Sequence, residues 1–184
     1  MTAIPAARAP FLPQLGLMVA ALAIVVDQVS KYIMVEKVMR PEGVVETPFF
    51  TAKLIEVLPF FQLRLSWNAG MSFSLFNSGE TATVITLLAV RLAVCLALIW
   101  WLHRLTRPWL QIACGLIIGG ALGNILDTVM FGAVADFLDF YWGSWHFPTF
   151  NVADSCISVG AGMVLLDALV SRPHHMDHTK DPAP

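Results

Sequence analysis

The sequence predicts a mainly α, integral-membrane protein: four transmembrane helices, a small β-sheet between the first and second, and an aromatic interfacial loop between the third and fourth. Three observations lead there. Of 184 residues, 57% are hydrophobic and 13% charged, against roughly a quarter charged in soluble domains. A water-facing surface of this size needs more polar residues than that, so the solvent must be largely lipid. Four apolar stretches, at about 14–34, 82–102, 109–130 and 152–170, approach the ~20 residues that a helix needs to cross a hydrocarbon core of about 30 Å. Finally, Phe61, Leu63, Leu65 and Trp67 alternate with Gln62, Arg64, Ser66 and Asn68, the period of two that marks a half-buried strand.

In chain order, the first stretch has Arg8 as a basic flank and Ala21-Leu22-Ala23 as a cleavage-like tripeptide, but its apolar run continues past Ala23, which predicts a retained span rather than a leader. Pro41, Gly43, Pro48 and Pro59 suit turns on the approach to the strand. Between spans two and three, residues 103–107 carry two arginines and no acid, whereas 131–151 carries Asp136 and Asp139 without Lys or Arg. The positive-inside rule therefore puts the short basic loop and both termini in the cytoplasm, and the segments 35–81 and 131–151 outside. The second outward segment holds Phe137, Phe140, Tyr141, Trp142, Trp145, Phe147 and Phe150, rings that favour the headgroup level. Residues 1–171 are expected to form one domain and 172–184 a disordered cytoplasmic tail, whose His174, His175 and His178 are read as solvated rather than metal-binding.

The same arithmetic excludes other classes. A net charge of -2 leaves no basic excess for nucleic acid. Cys95, Cys114 and Cys156 lie in apolar stretches without metal-ligand spacing and read as buried small hydrophobes.

Polar residues inside spans cost on the order of 2.5–3.5 kcal/mol each at the bilayer centre, so each needs a partner or a task. Asp27 and Lys31 lie four apart, spaced to meet on one helix face. Asn124 and Asp127 share a face of span three, following Gly115, Gly119 and Gly123, which let a neighbouring helix approach closely. Span four opens with Asn151 and Asp154, where a carboxylate also suits the helix dipole. With Asp136 in the connection, these carboxylates gather at one outer depth. Two of them held close together cannot both ionise easily, so one keeps a proton while the other activates water. Residue types alone leave Asp127 a rival to Asp136 for that pair.

Five motifs now stand in order: Asp27-Gln28-Val29-Ser30-Lys31, Asn68-Ala69-Gly70-Met71-Ser72-Phe73, the run from Gly119 to Asp127, Val134-Ala135-Asp136-Phe137, and Phe150-Asn151-Val152-Ala153-Asp154-Ser155. Each alone is weak. Together, from span one through span four, they resemble the bacterial lipoprotein signal peptidase family, signal peptidase II. The resemblance implies an aspartyl endopeptidase of the bacterial cytoplasmic membrane that cuts prolipoproteins just before a diacylglyceryl-modified cysteine, without metal or cofactor. It implies a catalytic pair at Asp136 and Asp154, orienting roles for Asn124 and Asn151, a cleft shaped by Asn68 and Gly70, and supporting roles for Asp27, Lys31, Asp127 and Ala153. It further implies an extracytoplasmic cradle built on the strand-bearing segment. Diacylglyceryl prolipoproteins and membrane lipids are the expected partners, and a monomer the expected state.

One departure stands out. After Asp127 the family normally has an arginine, and this chain has Thr128, which lacks a permanent charge and forked donors. A weakly active, divergent member is therefore one alternative. Arg91 lies inside span two and is read as pairing or snorkelling there; partial replacement of the missing charge is the other reading. A small carrier or proton-pathway subunit would spread its carboxylates through the bilayer depth, and a noncatalytic lipid-binding protein would tolerate Asn at Asp136 or Asp154.

Overall fold

The computed structural model describes residues 13–50, 52–69 and 80–171, with side chains omitted for 80–84. The first helix, α1 (Gln14–Tyr32), continues through a π-helical extension, Ile33–Val38. Two strands follow, β1 (Ile55–Leu58) and β2 (Phe61–Asn68), then α2 (Glu80–Leu102), α3 (Pro108–Phe131), β3 (Val134–Trp142), β4 (Trp145–His146) and α4 (Val152–Val170). Among the described residues, four helices are long and apolar enough to cross a membrane: Gln14–Val38, Ile85–Leu102, Pro108–Phe131 and Val152–Val170.

Helix α3 is the centre of the bundle. It starts with Pro108 at its first position and ends on Gly132, whose φ of 72° gives the left-handed cap that releases the chain into β3. Its small residues set the packing. Gly119 admits the Ala20 backbone and the Ala23 methyl of α1, and Gly120 admits the Ala153 carbonyl and Ile157 of α4; a methyl group at either would collide with that backbone. Helices α1 and α4 therefore lie close on α3, and α2 packs on it less extensively. Outward faces are apolar, as with Met18, Leu22 and Val25 on α1 and Leu165, Leu166 and Leu169 on α4, which suits a lipid solvent.

The sheet is larger than the alternation predicts. Its antiparallel order is β1-β2-β3-β4, so the aromatic segment after span three supplies two of its strands. Strand β3 pairs with β2 in a register that sets Ser66 opposite Asp136 and Asn68 opposite Val134. The reason a loop was expected lies in burial. Val134, Ala135, Asp136 and Phe137 are all buried, so β3 is covered on both faces at its start and shows no in-out alternation. The aromatics gather beyond it: Trp142, Trp145 and Phe147 are exposed at the hairpin end. Cys95 and Cys114 are buried free thiols and Cys156 is half-buried.

Candidate active site

At the sheet-bearing end, α1 brings in a buried cation with all its partners. Lys31 Nζ contacts Asp27 Oδ2 at 2.8 Å, Asp127 Oδ2 at 3.0 Å and Asn124 Oδ1 at 2.9 Å. Three ammonium hydrogens thus meet three acceptors, which is what a charge so well buried requires. Asp27, fully buried, turns its other oxygen to the Ala153 N–H at 2.9 Å and ties α1 to the first turn of α4. Gly123 makes the space, since a Cβ there would stand 2.5 Å from Asp27 Oδ2.

Asp127 is saturated by structural donors. Besides Lys31 it accepts from Gln28 Nε2 at 3.0 Å and from the Ala135 N–H at 3.2 Å, so it fixes the start of β3 one residue before Asp136. Gln28 also reaches Asp27 and the Gly123 carbonyl. Gln28 was not among the expected site residues; its signal was an amide inside a span, one turn from Lys31.

Asp136 and Asp154 come together through two asparagines. Asn151 Nδ2 donates to Asp136 Oδ1 at 2.7 Å and to Asn124 Oδ1 at 3.2 Å. Asn124 Nδ2 donates in turn to Asp154 Oδ1 at 2.8 Å. Asn151 also caps α4: its Oδ1 accepts from the Asp154 N–H at 2.9 Å, while Asp154 Oδ2 accepts from the Asn151 N–H at 3.2 Å, a reciprocal capping box. One side chain therefore starts the helix and sets the distance between strand and helix carboxylates. Asn68 Nδ2 closes the other side of Asp136, donating to Oδ2 at 3.2 Å.

Asp136 is 2% exposed, and it borders a cleft of about 350 Å³ lined also by Ser66, Trp67, Asn68, Pro148 and Thr149. Burial, and then the negative charge of Asp154, push its carboxyl up to about 7, against the hydrogen bonds from Asn68 and Asn151 and the charge of Lys31. A carboxyl poised near neutrality beside a second carboxylate can exchange protons with a substrate at physiological pH. Asp139 takes no part: it bonds Gln62 at 2.7 Å and His146 at 2.9 Å elsewhere in the sheet. Gly70 lies outside the described residues. Thr128 donates to the Asn124 carbonyl at 2.8 Å and accepts from Arg91 Nη1 at 3.1 Å, so the two residues that sequence singled out separately meet.

Four membrane-length helices, with two carboxylates bridged by asparagines where one of them meets a sheet, define a multi-pass membrane protein with a buried polar site beside a cleft. The family model described as signal peptidase (SPase) II matches residues 19–170, and the chain belongs to that family of membrane proteases. Among its relatives, the lipoprotein signal peptidase of Shewanella loihica is 39% identical over 168 residues, 88% of this chain and 91% of the relative. That of Aeromonas hydrophila is 42% identical over 159 residues, 84% and 88% of the two chains. That of Vibrio cholerae serotype O1 is 45% identical over 118 residues, 63% and 69%. A solved bacterial membrane enzyme superposes with a TM-score of 0.70 at 25% identity, over 88% of this chain and 96% of its own.

Proposed function

We propose that the protein is an aspartyl endopeptidase that removes signal peptides from prolipoproteins, cutting just before the diacylglyceryl-modified cysteine, with Asp136 and Asp154 as its catalytic pair. The observation that carries this reading is the Asn151–Asn124 bridge, which holds one strand carboxylate and one helix carboxylate as a unit at the cleft. Asp154, whose two oxygens accept N–H donors from Asn124 and Asn151 in the first turn of α4, takes a proton from water. Asp136 holds the proton and gives it to the scissile amide as water adds. Asn68 lines the peptide cleft. Asp27, Lys31, Asp127 and Ala153 hold the frame.

The charge bias of residues 103–107 supports cytoplasmic termini and a site at the outer face of the bacterial cytoplasmic membrane. There the modified cysteine of a lipid-anchored chain meets water. The enzyme acts as a monomer of one domain, 1–171, among membrane lipids. A gel-shift assay on a diacylglyceryl prolipoprotein tests the reading. Wild type processes it and Asp136→Asn and Asp154→Asn do not; persistent processing by either variant would sink the pair.

A further inference from the structure

Arg91 is the single charged residue of α2 between Ile85 and Leu102. A guanidinium inside a span is expected to pair with a carboxylate, yet among the described residues its one hydrogen-bond partner is the neutral Thr128 hydroxyl, at 3.1 Å. The nearest acid in sequence to that hydroxyl, Asp127, is already held on the α1 side by Lys31, Gln28 and Ala135. Of the five donors that a guanidinium carries, most therefore have no acceptor among the described residues.

Its position is informative. Cys114 of α3 faces α2, donating to the Leu98 carbonyl, and Gly120 faces Ala153 of α4. At about 100° per residue, Thr128 falls on the α3 face between those two, so the guanidinium stands in the seam between α2 and α4. These two helices each pack on α3 and scarcely touch each other, which leaves the seam open toward lipid. Thr128 lies about 5 Å in from Phe131 along α3, and the guanidinium bonded to it shares that depth, beside the site. The chain of contacts runs from Arg91 to the Thr128 hydroxyl, to the Asn124 carbonyl, and from the Asn124 amide to Asp154.

Resting on the peptidase reading, we propose that Arg91, anchored on Thr128, is a specificity-determining residue that binds carbonyl oxygen of the substrate's diacylglyceryl group as it enters the α2/α4 seam. The acceptor fits the place: an ester carbonyl is a neutral acceptor carried at the upper edge of the hydrocarbon region, and the cysteine bearing it must lie beside Asp154 when the adjoining bond is cut. A peptide carbonyl has the same chemistry, so the test must separate the two.

The full-length protein in detergent is titrated with two lipopeptides that begin at the modified cysteine and so lack a scissile bond. One carries the diacylglyceryl group, the other its dialkyl ether counterpart, without ester carbonyls. Wild type should bind the diester roughly tenfold more tightly, the size of a charge-assisted hydrogen bond. Arg91→Ala and Thr128→Val should lose that preference while leaving affinity for the ether unchanged. Should Arg91→Ala shift the thermal transition, Arg91→Gln, which keeps amide donors, is titrated with the same pair and should retain only part of the preference. An equal loss on both lipopeptides would assign Arg91 to the peptide backbone and overturn the proposal, as would no loss on either. Processing of the prolipoprotein by wild type and Asp136→Asn, run alongside, reports on the catalytic pair independently.

Discussion

Asp136 and Asp127 are both acids near one membrane boundary, and residue type and position rank neither above the other; in the sequence only the family resemblance of the motifs favours Asp136. The structure distinguishes them by their donors: Asp127 is met by a lysine, a glutamine and a backbone N–H, whereas Asp136 is met by two neutral asparagines and a cleft. A carboxyl pushed up to about 7 gives a signed prediction. With Asp136 as the acid, kcat/KM for prolipoprotein processing falls as pH rises through about 7. Asn68→Ala removes a bond that favours the anion, so that limb moves to higher pH; a limb that stays or moves down refutes the role of Asp136. Replacing either member of the pair by Asn is expected to lower kcat by on the order of 10²–10⁴-fold, the range of a lost general acid or base. Stability carries the same sign. Because the folded state raises the Asp136 carboxyl, folding is favoured by its protonation, and that contribution is lost as pH climbs from the ordinary carboxylate range, near 4, to about 7. Lys31→Met is the severe structural change: it leaves Asp27 and Asp127 buried without their cation and should cost about 3–5 kcal/mol, read as a lowered thermal transition in detergent.

Helix α3 shows how far a pattern of small residues can be read. Gly115, Gly119 and Gly123 announced a close helix neighbour, and α1 is that neighbour. The pattern did not reveal that Gly123 makes room for a carboxylate rather than for a backbone. Gly123→Ala should therefore cost more than a simple packing clash of about 1–3 kcal/mol, because displacing Asp27 also breaks its bond to Ala153. Differential scanning fluorimetry of this variant beside Gly119→Ala makes the comparison. At the start of α4, Asn151→Ala loses both the cap and the link to Asp136. It should be as inactive as the Asp variants yet destabilised by only about 1–2 kcal/mol, whereas activity near wild type would show that the bridge is not needed. The strand β3 was hidden from the pattern because its first residues are buried on both sides; β2 was visible because apolar and polar residues alternate along it, although Gln62 on its polar side is buried.

The protein as a whole is an apolar bundle whose polar investment is concentrated at one end. The opposite end is closed by Leu102 and Leu105 packed with Ala20, Cys114 and Ile118, and Arg107 there pairs with Asp167 across to α4 at 3.0 Å. With this end in the cytoplasm, a membrane-impermeant thiol reagent applied to intact cells should label a cysteine at Ser144 and not one at Arg104, in a background lacking the native cysteines. The reverse labelling would invert the topology and place the carboxylate pair on the wrong side for a secreted substrate.

By itself the sequence determined the solvent, the four spans, the strand β2 and the set of polar residues that lipid would not tolerate without reason, because hydropathy and short-range periodicity are local properties of a chain. Only the tertiary structure decided which of those residues meet. Asp136 and Asp154 are brought together by two asparagines from different helix ends, Asp127 is diverted to Lys31, the aromatic segment after α3 completes the sheet, and Arg91 finds Thr128. Each of these contacts joins residues remote in sequence, and their partners follow from how α1, α2 and α4 dock on α3, which no local pattern encodes.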